Sequence, residues 1–187
     1  ASKGGSLAQL PIPQVRGDFE QLPLSYAQLR QWFLWKLDPA SAVYNISSDL
    51  RFKGSLDRAA LQRAFDSLLA RHDALRTTFH QQDGQVQQVV HPHLALTVTY
   101  EQLNGAGEEA LREQVEHEAR QGFDLEHGPL LRVKLLARDA HEHVLVLTLD
   151  HIIADGWSMS LMVEELMRLY EAYSQGGDVQ LPALPIQ

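Results

Sequence analysis

Apolar residues fall along this chain in short blocks whose periods differ enough to assign them one by one. The run His-Val-Leu-Val-Leu-Thr-Leu at 143–149 is continuous and rich in β-branched side chains, which predicts a buried strand with Asp150 and His151 at its end. A polar break follows, Gly156 permits a sharp turn, and Ser158 stands where an N-cap belongs. An amphipathic helix is therefore predicted over residues 158–174, burying Leu161, Met162, Leu166, Leu169 and Tyr173 and stopped by Gly176-Gly177. Ser25 caps an earlier helix whose apolar positions Tyr26, Leu29, Phe33 and Leu34 share a face, ended by Asp38-Pro39. Asp57 caps a third, over residues 57–71, with Leu61, Ala64, Phe65, Leu68 and Leu69 at helical spacing. A charged helix over residues 108–121 reads as a solvated face.

The remaining blocks have the period of strands. Residues 43–52 read as extended, Asp83-Gly84 marks a hairpin between 76–81 and 85–91, and Leu94, Leu96, Val98 and Tyr100 alternate. Leu131, Val133 and Leu135 alternate with Arg132 and Lys134, as a strand with one wet face requires, and His141-Glu142-His143 reads as a surface hairpin end. Residues 1–23, with Gly4-Gly5, Pro11, Pro13 and Pro23, show no period and read as an irregular surface linker. The pattern is that of an α/β chain with a mixed, mostly antiparallel sheet and helices packed on it.

Composition narrows what such a chain can do. Its 187 residues, 44% of them hydrophobic, suffice for one sizeable core. A formal net charge of −8 argues against a nucleic-acid partner, which needs a basic footprint. Without cysteine there is no disulfide framework, no thiolate nucleophile and no Cys-based zinc site. His91-Pro92-His93 brings two imidazoles close but no further ligand, so it reads as a turn and no metal is expected. No apolar stretch reaches the roughly 18 residues of a membrane span and no signal-peptide core is present, which makes the cytoplasm the default.

The candidate chemistry lies at 150–158, where one imidazole and two carboxylates, His151, Asp150 and Asp155, are framed by a strand end, a tight loop and a helix start. Histidine takes or holds a proton near neutrality, and strand ends are where such groups meet substrate. Asp150-His151-Ile152-Ile153-Ala154-Asp155-Gly156 resembles the HHxxxDG signature of the condensation domains of nonribosomal peptide synthetases, with Asp150 in place of the first histidine. Residues 25–34 resemble that family's first core motif, SxAQxRxWxL. Residues 71–79, Arg-His-Asp-Ala-Leu-Arg-Thr-Thr-Phe, resemble its second, RHExLRTxF, with Asp73 for Glu. Tyr44-Asn45-Ile46 and the stretch from Phe123-Asp124-Leu125 to Gly128-Pro129-Leu130-Leu131-Arg132 also look like condensation-domain sequence.

The resemblance implies a chloramphenicol-acetyltransferase-like fold, of which residues 24–177 would be the N-terminal lobe. Residues 1–23 would be a linker from a preceding domain, and residues 178–187 the start of a crossing to a C-terminal lobe. It implies amide-bond formation between two carrier-bound substrates, a thioester donor and an aminoacyl acceptor. The phosphopantetheine belongs to the partner carrier domains, no cofactor is bound directly, and adjacent synthetase domains are further partners. His151 would be the catalytic residue. Asp155 would scaffold the loop, with Arg71 as first candidate partner and Arg76 as second, and Gly156 and Trp157 would complete the motif. Asp150 either raises the basicity of the adjacent imidazole or points away from it. Alternatives stay open: Asp150, Asp155 and Ser158 also resemble the DxxxxDxxS signature of heterocyclization relatives, epimerization relatives share the histidine motif, and a noncatalytic carrier-binding module is a different class again. The Gln31-Trp32-Phe33-Leu34-Trp35 run leans towards condensation with a D-configured donor. One lobe alone is expected to be inactive.

Overall fold

The computed structural model describes residues 14–15, 19–104, 107–154 and 158–175. Two four-stranded sheets and four helices account for the regular structure among them. The first sheet is antiparallel throughout: β1 (Gln14–Val15), β2 (Phe19–Pro23), β4 (Thr77–Gln82) and β5 (Gln85–Val90) lie in the order β1-β2-β5-β4. The second contains β3 (Asn45–Lys53), β6 (Thr99–Gln102), β7 (Leu131–Asp139) and β8 (Glu142–Asp150) in the order β3-β8-β7-β6, with β6 and β7 parallel. The helices are α1 (Tyr26–Leu37), α2 (Arg58–Arg71), α3 (Glu108–Ala119) and α4 (Met159–Ser174), with α3 making the crossover between the parallel strands.

The second sheet is covered on both faces, which is why β8 carries an uninterrupted apolar run. Leu145, Leu147 and Leu149 join the main core with Trp32 of α1, Phe65 and Leu68 of α2, and Met162 and Leu166 of α4. The intervening Val144 and Val146 meet Leu111 of α3 and Leu136 of β7 on the other side. Alternation in β7 follows the same geometry. Leu131, Val133 and Leu135 face the main core, whereas Arg132 and Lys134, predicted on a wet face, lie under α3 and reach the buried Glu118.

Several other expectations are corrected. Residues 1–23 do not all behave as an irregular linker, since Phe19–Pro23 pairs with β5 from Glu20↔Val90 to Pro23↔Gln87. Proline ends that strand, where its missing N–H interrupts no ladder. The strand expected at 94–100 is confined to Thr99–Gln102. The carboxamide of Gln62 on α2 accounts for this, donating to Leu96 O at 2.8 Å and accepting from Val98 N–H at 3.0 Å, so a side chain takes the place of a neighbouring strand. Leu161 and Tyr26, predicted to pack, are 54% and 87% exposed. The residue of α1 that is buried is Trp32 instead. The Asp83-Gly84 hairpin forms as expected, with φ of 53° and 78° at its two turn residues.

Candidate functional site

β8 is an inner strand, flanked by β3 and β7, and its C-terminal end carries the candidate residues. Asp150 closes the strand by donating its N–H to Leu130 O at 3.0 Å, and its Oδ1 accepts the N–H of Ile152 at 2.9 Å. That acceptor tightens His151–Ile153 into a single 3₁₀ turn, capped at its far end by Ala154 N–H donating to His151 O. Ile152 and Ile153 are buried in the main core. With those two facing in, His151 is exposed and turned outward, and its N–H continues the β3–β8 ladder by donating to Tyr44 O at 2.9 Å.

α1 holds this turn from one side through two carboxamides a helical turn apart. Gln28 donates its Nε2–H to Ile152 O at 3.2 Å, and Nε2 of Gln31 lies 3.2 Å from Nδ1 of His151. Gln28 also completes a capping box with Ser25, which sets where α1 begins and so the height at which both side chains meet the turn. Neither glutamine stood among the site residues read from sequence. The Ser25-x-x-Gln28 spacing of a capping box was a signal for Gln28, and nothing in the pattern of α1, whose buried residue is Trp32, marked Gln31.

Asp150 points the other way, into the protein. It is 9% exposed, and burial pushes its carboxyl above the ordinary carboxylate value, against the opposing pull of the Ile152 N–H and of His151. With Gln31, Trp35, Asp38, Tyr44 and Asn45 it lines a cleft of about 250 Å³ beside the imidazole. The two residues that share a signature in sequence thus face different environments.

Asp155, Gly156 and Trp157 lie outside the described residues, and with them the expected pairing of Asp155. Its two candidate partners have neighbours of their own. Arg71 pairs through Nε with Glu165 of α4, which also takes Nε2 of His72 at 2.7 Å. Arg76 donates to Leu69 O at 2.8 Å, to His91 O at 2.5 Å and to the carboxylate of Asp73. Arg71 therefore ties α2 to α4, the helix that follows the site, and Glu165 is a residue that sequence reading passed over. Ser158 caps α4 by accepting from Leu161 N–H at 3.2 Å. Among the described residues no three His, Asp or Glu side chains come together as a metal site. No helix among them is long and apolar enough to cross a membrane.

Comparison with known proteins bears on the family and the fold. A family model described as "Condensation domain" matches residues 19–186. A linear gramicidin synthase protein of Brevibacillus parabrevis is 44% identical over 187 residues, spanning 97% of this chain and 2% of that protein. Chondramide synthase cmdD of Chondromyces crocatus is 41% identical over 98% of this chain and 5% of its own length. The chain thus covers only a few per cent of these relatives. Among solved structures, the starter condensation domain of rhizomide synthetase RzmA superposes with a TM-score of 0.80 at 23% identity, over 89% of this chain and 41% of that one. The X-domain in complex with OxyB from teicoplanin biosynthesis superposes with a TM-score of 0.77 at 33% identity, over 94% and 37%.

Proposed function

The chain belongs to the condensation-domain family of nonribosomal peptide synthetases, and from that premise we propose that it forms one side of a site joining two carrier-borne substrates through His151. The α-amine of an aminoacyl thioester attacks the carbonyl of an acyl or peptidyl thioester. A C–N bond forms, the C–S bond breaks, and the proton lost by the amine ends on the released thiol. Both reactants arrive on phosphopantetheine arms of carrier domains, and a thioester is already activated. Most of the acceleration then comes from orienting two bound reactants and holding the charge that develops on the tetrahedral oxygen.

The observation that carries this reading is the outward imidazole at the end of an inner strand, fixed by its backbone and by Gln31 beside an open cleft. Leu37, Val43 and Tyr44 border that cleft and are exposed, more apolar surface than a finished site leaves in water, which supports a second lobe closing over this face. We assign Asp155 a scaffolding role for the segment between His151 and α4, with Arg71 as its first candidate partner.

The test uses the longer synthetase that contains this chain, with donor and acceptor carriers loaded and product released for mass spectrometry. His151→Ala is expected to lower amide formation by about 10²–10⁴-fold. Undiminished product would overturn the assignment, and product lacking a further water would point to cyclisation instead.

A further inference from the structure

We propose that the cleft beside His151 is a subsite for an ammonium group on the side chain of one of the two residues being joined, with Asp150 as its counter-charge. The proposal rests on His151 being the imidazole that meets substrate, and names what the neighbouring cleft holds.

Asp150 is 9% exposed, and among the described residues its one hydrogen bond is the Ile152 N–H on Oδ1, while no lysine or arginine pairs with it. Lys36, the basic residue in the last turn of α1, lies instead over the rings of Trp32 and Trp35, 5.4 and 5.6 Å from their centroids. Oδ2 is thus left without a partner on a residue that lines the cleft. A carboxylate withdrawn from water without a counter-charge is costly, and in a cleft it marks a place where a ligand supplies what the fold does not. Burial already holds this carboxyl above its ordinary value, and a cation seated against it would draw it back down.

The rest of the cleft fits the same kind of ligand. Asp38 adds a second carboxylate at the C-terminal end of α1, where the helix favours positive charge, and no lysine, arginine or histidine is among the described residues that line the cleft. Leu34, Trp35, Tyr44 and Leu125 supply apolar wall for an alkyl stem. Pockets that take whole small molecules start at about 300 Å³. At about 250 Å³ this cleft takes one side chain. Because the Ile152 N–H occupies Oδ1, a single oxygen remains, which suits the point charge of an ammonium better than the two-pronged fork of a guanidinium.

Binding is measured on the chain itself, at constant ionic strength, with n-butylammonium chloride and its neutral counterpart 1-butanol. The readout is the indole N–H signal of Trp35 in ¹H–¹⁵N spectra, identified by its loss in Trp35→Phe. Butylammonium is expected to shift that signal saturably and to bind roughly 10- to 100-fold more tightly than butanol. Asp150→Asn, which keeps an oxygen for the Ile152 N–H, should abolish the difference. Equal binding of the two probes, or a preference kept in Asp150→Asn, overturns the proposal. In the longer synthetase, donor and acceptor carriers are loaded in turn with lysine or norleucine. Wild type should favour lysine by a similar factor at one of the two positions, and Asp150→Asn should not. A preference at neither position overturns the proposal, as does an equal loss of lysyl and norleucyl product in the variant, which would put the α-amine in the cleft. Because the binding measurement needs no turnover, it can fail while His151 still proves catalytic, and it can hold even if His151→Ala retains full activity.

Discussion

His151 is held by its backbone rather than by burial of its ring: its N–H and C=O are both satisfied, and the imidazole is exposed. Removing the ring therefore creates no cavity. His151→Ala should leave stability within about 0.5 kcal/mol of wild type, a shift of at most about 2 °C in thermal midpoint. A large loss of product with an unmoved midpoint is the expected pair of results. Asp150 carries the opposite expectation. Burial raises its carboxyl above the ordinary value, so the folded chain binds that proton more readily than the unfolded one. Its favourable contribution is present below the ordinary carboxylate range and is lost as pH rises through the raised value. Asp150→Asn keeps an oxygen for the Ile152 N–H and removes the charge. It should melt above wild type at neutral pH, with the gap closing on acidification, and thermal scans across that range check it. In sequence, the exposure of one residue and the burial of its neighbour were not separable. Strand alternation runs out where the 3₁₀ turn begins, and that turn is made by the Asp150 carboxylate itself.

At the level of elements, legibility followed how much of each side chain's surroundings lay nearby in sequence. N-caps are local, and Ser25, Asp57 and Ser158 each cap the helix they were assigned, as the Asp83-Gly84 turn also makes its hairpin. Contacts from elsewhere in the chain were not legible. The period of β7 was read correctly but its polar face was placed in water, because α3, which covers it, is a separate element whose docking leaves no mark on the strand's own pattern. The strand expected at 94–100 was shortened by a glutamine more than thirty residues away. The link between α2 and α4 is of this kind, with one carboxylate, Glu165, serving both Arg71 and His72 while 14% exposed. Glu165→Ala removes an acceptor from a guanidinium and an imidazole at once. Charge-assisted hydrogen bonds of this sort are worth about 1.5–3 kcal/mol, so a fall of about 3–12 °C in thermal midpoint is expected, read by calorimetry. Because α4 is the next helix in the chain after His151, the same variant should lower product formation more than its loss of stability accounts for.

For the molecule as a whole, the site is open on one face, and the chain alone should form little or no amide when mixed with loaded carriers. Product at the rate of the longer synthetase would sink the two-lobe reading. The acid response is also a property of the whole fold, because among the described residues three imidazoles in two places are held below their ordinary value, each chiefly by burial: His80 on β4 with His91 after β5, and His143 on β8. A base whose folded pKa is depressed binds fewer protons folded than unfolded. Its contribution is therefore intact above the unfolded value of about 6.5 and is lost as pH falls below it. The raised carboxyl of Asp150 and the raised imidazole of the exposed His127, hydrogen-bonded to Asp124, work in the other direction, two groups against three. His80 and His91 are moreover coupled, since the Nε2 atoms of both lie 2.7 Å from the single hydroxyl of Thr78. That hydroxyl has one hydrogen, so it donates to one ring and accepts from the other, and protonating both rings removes its acceptor and sets two positive charges around one oxygen. Thermal midpoint plotted against pH should be level above the ordinary imidazole range and fall below it. His91→Gln should make that fall shallower by removing one member of the pair, whereas an unchanged slope would assign the acid response to other groups.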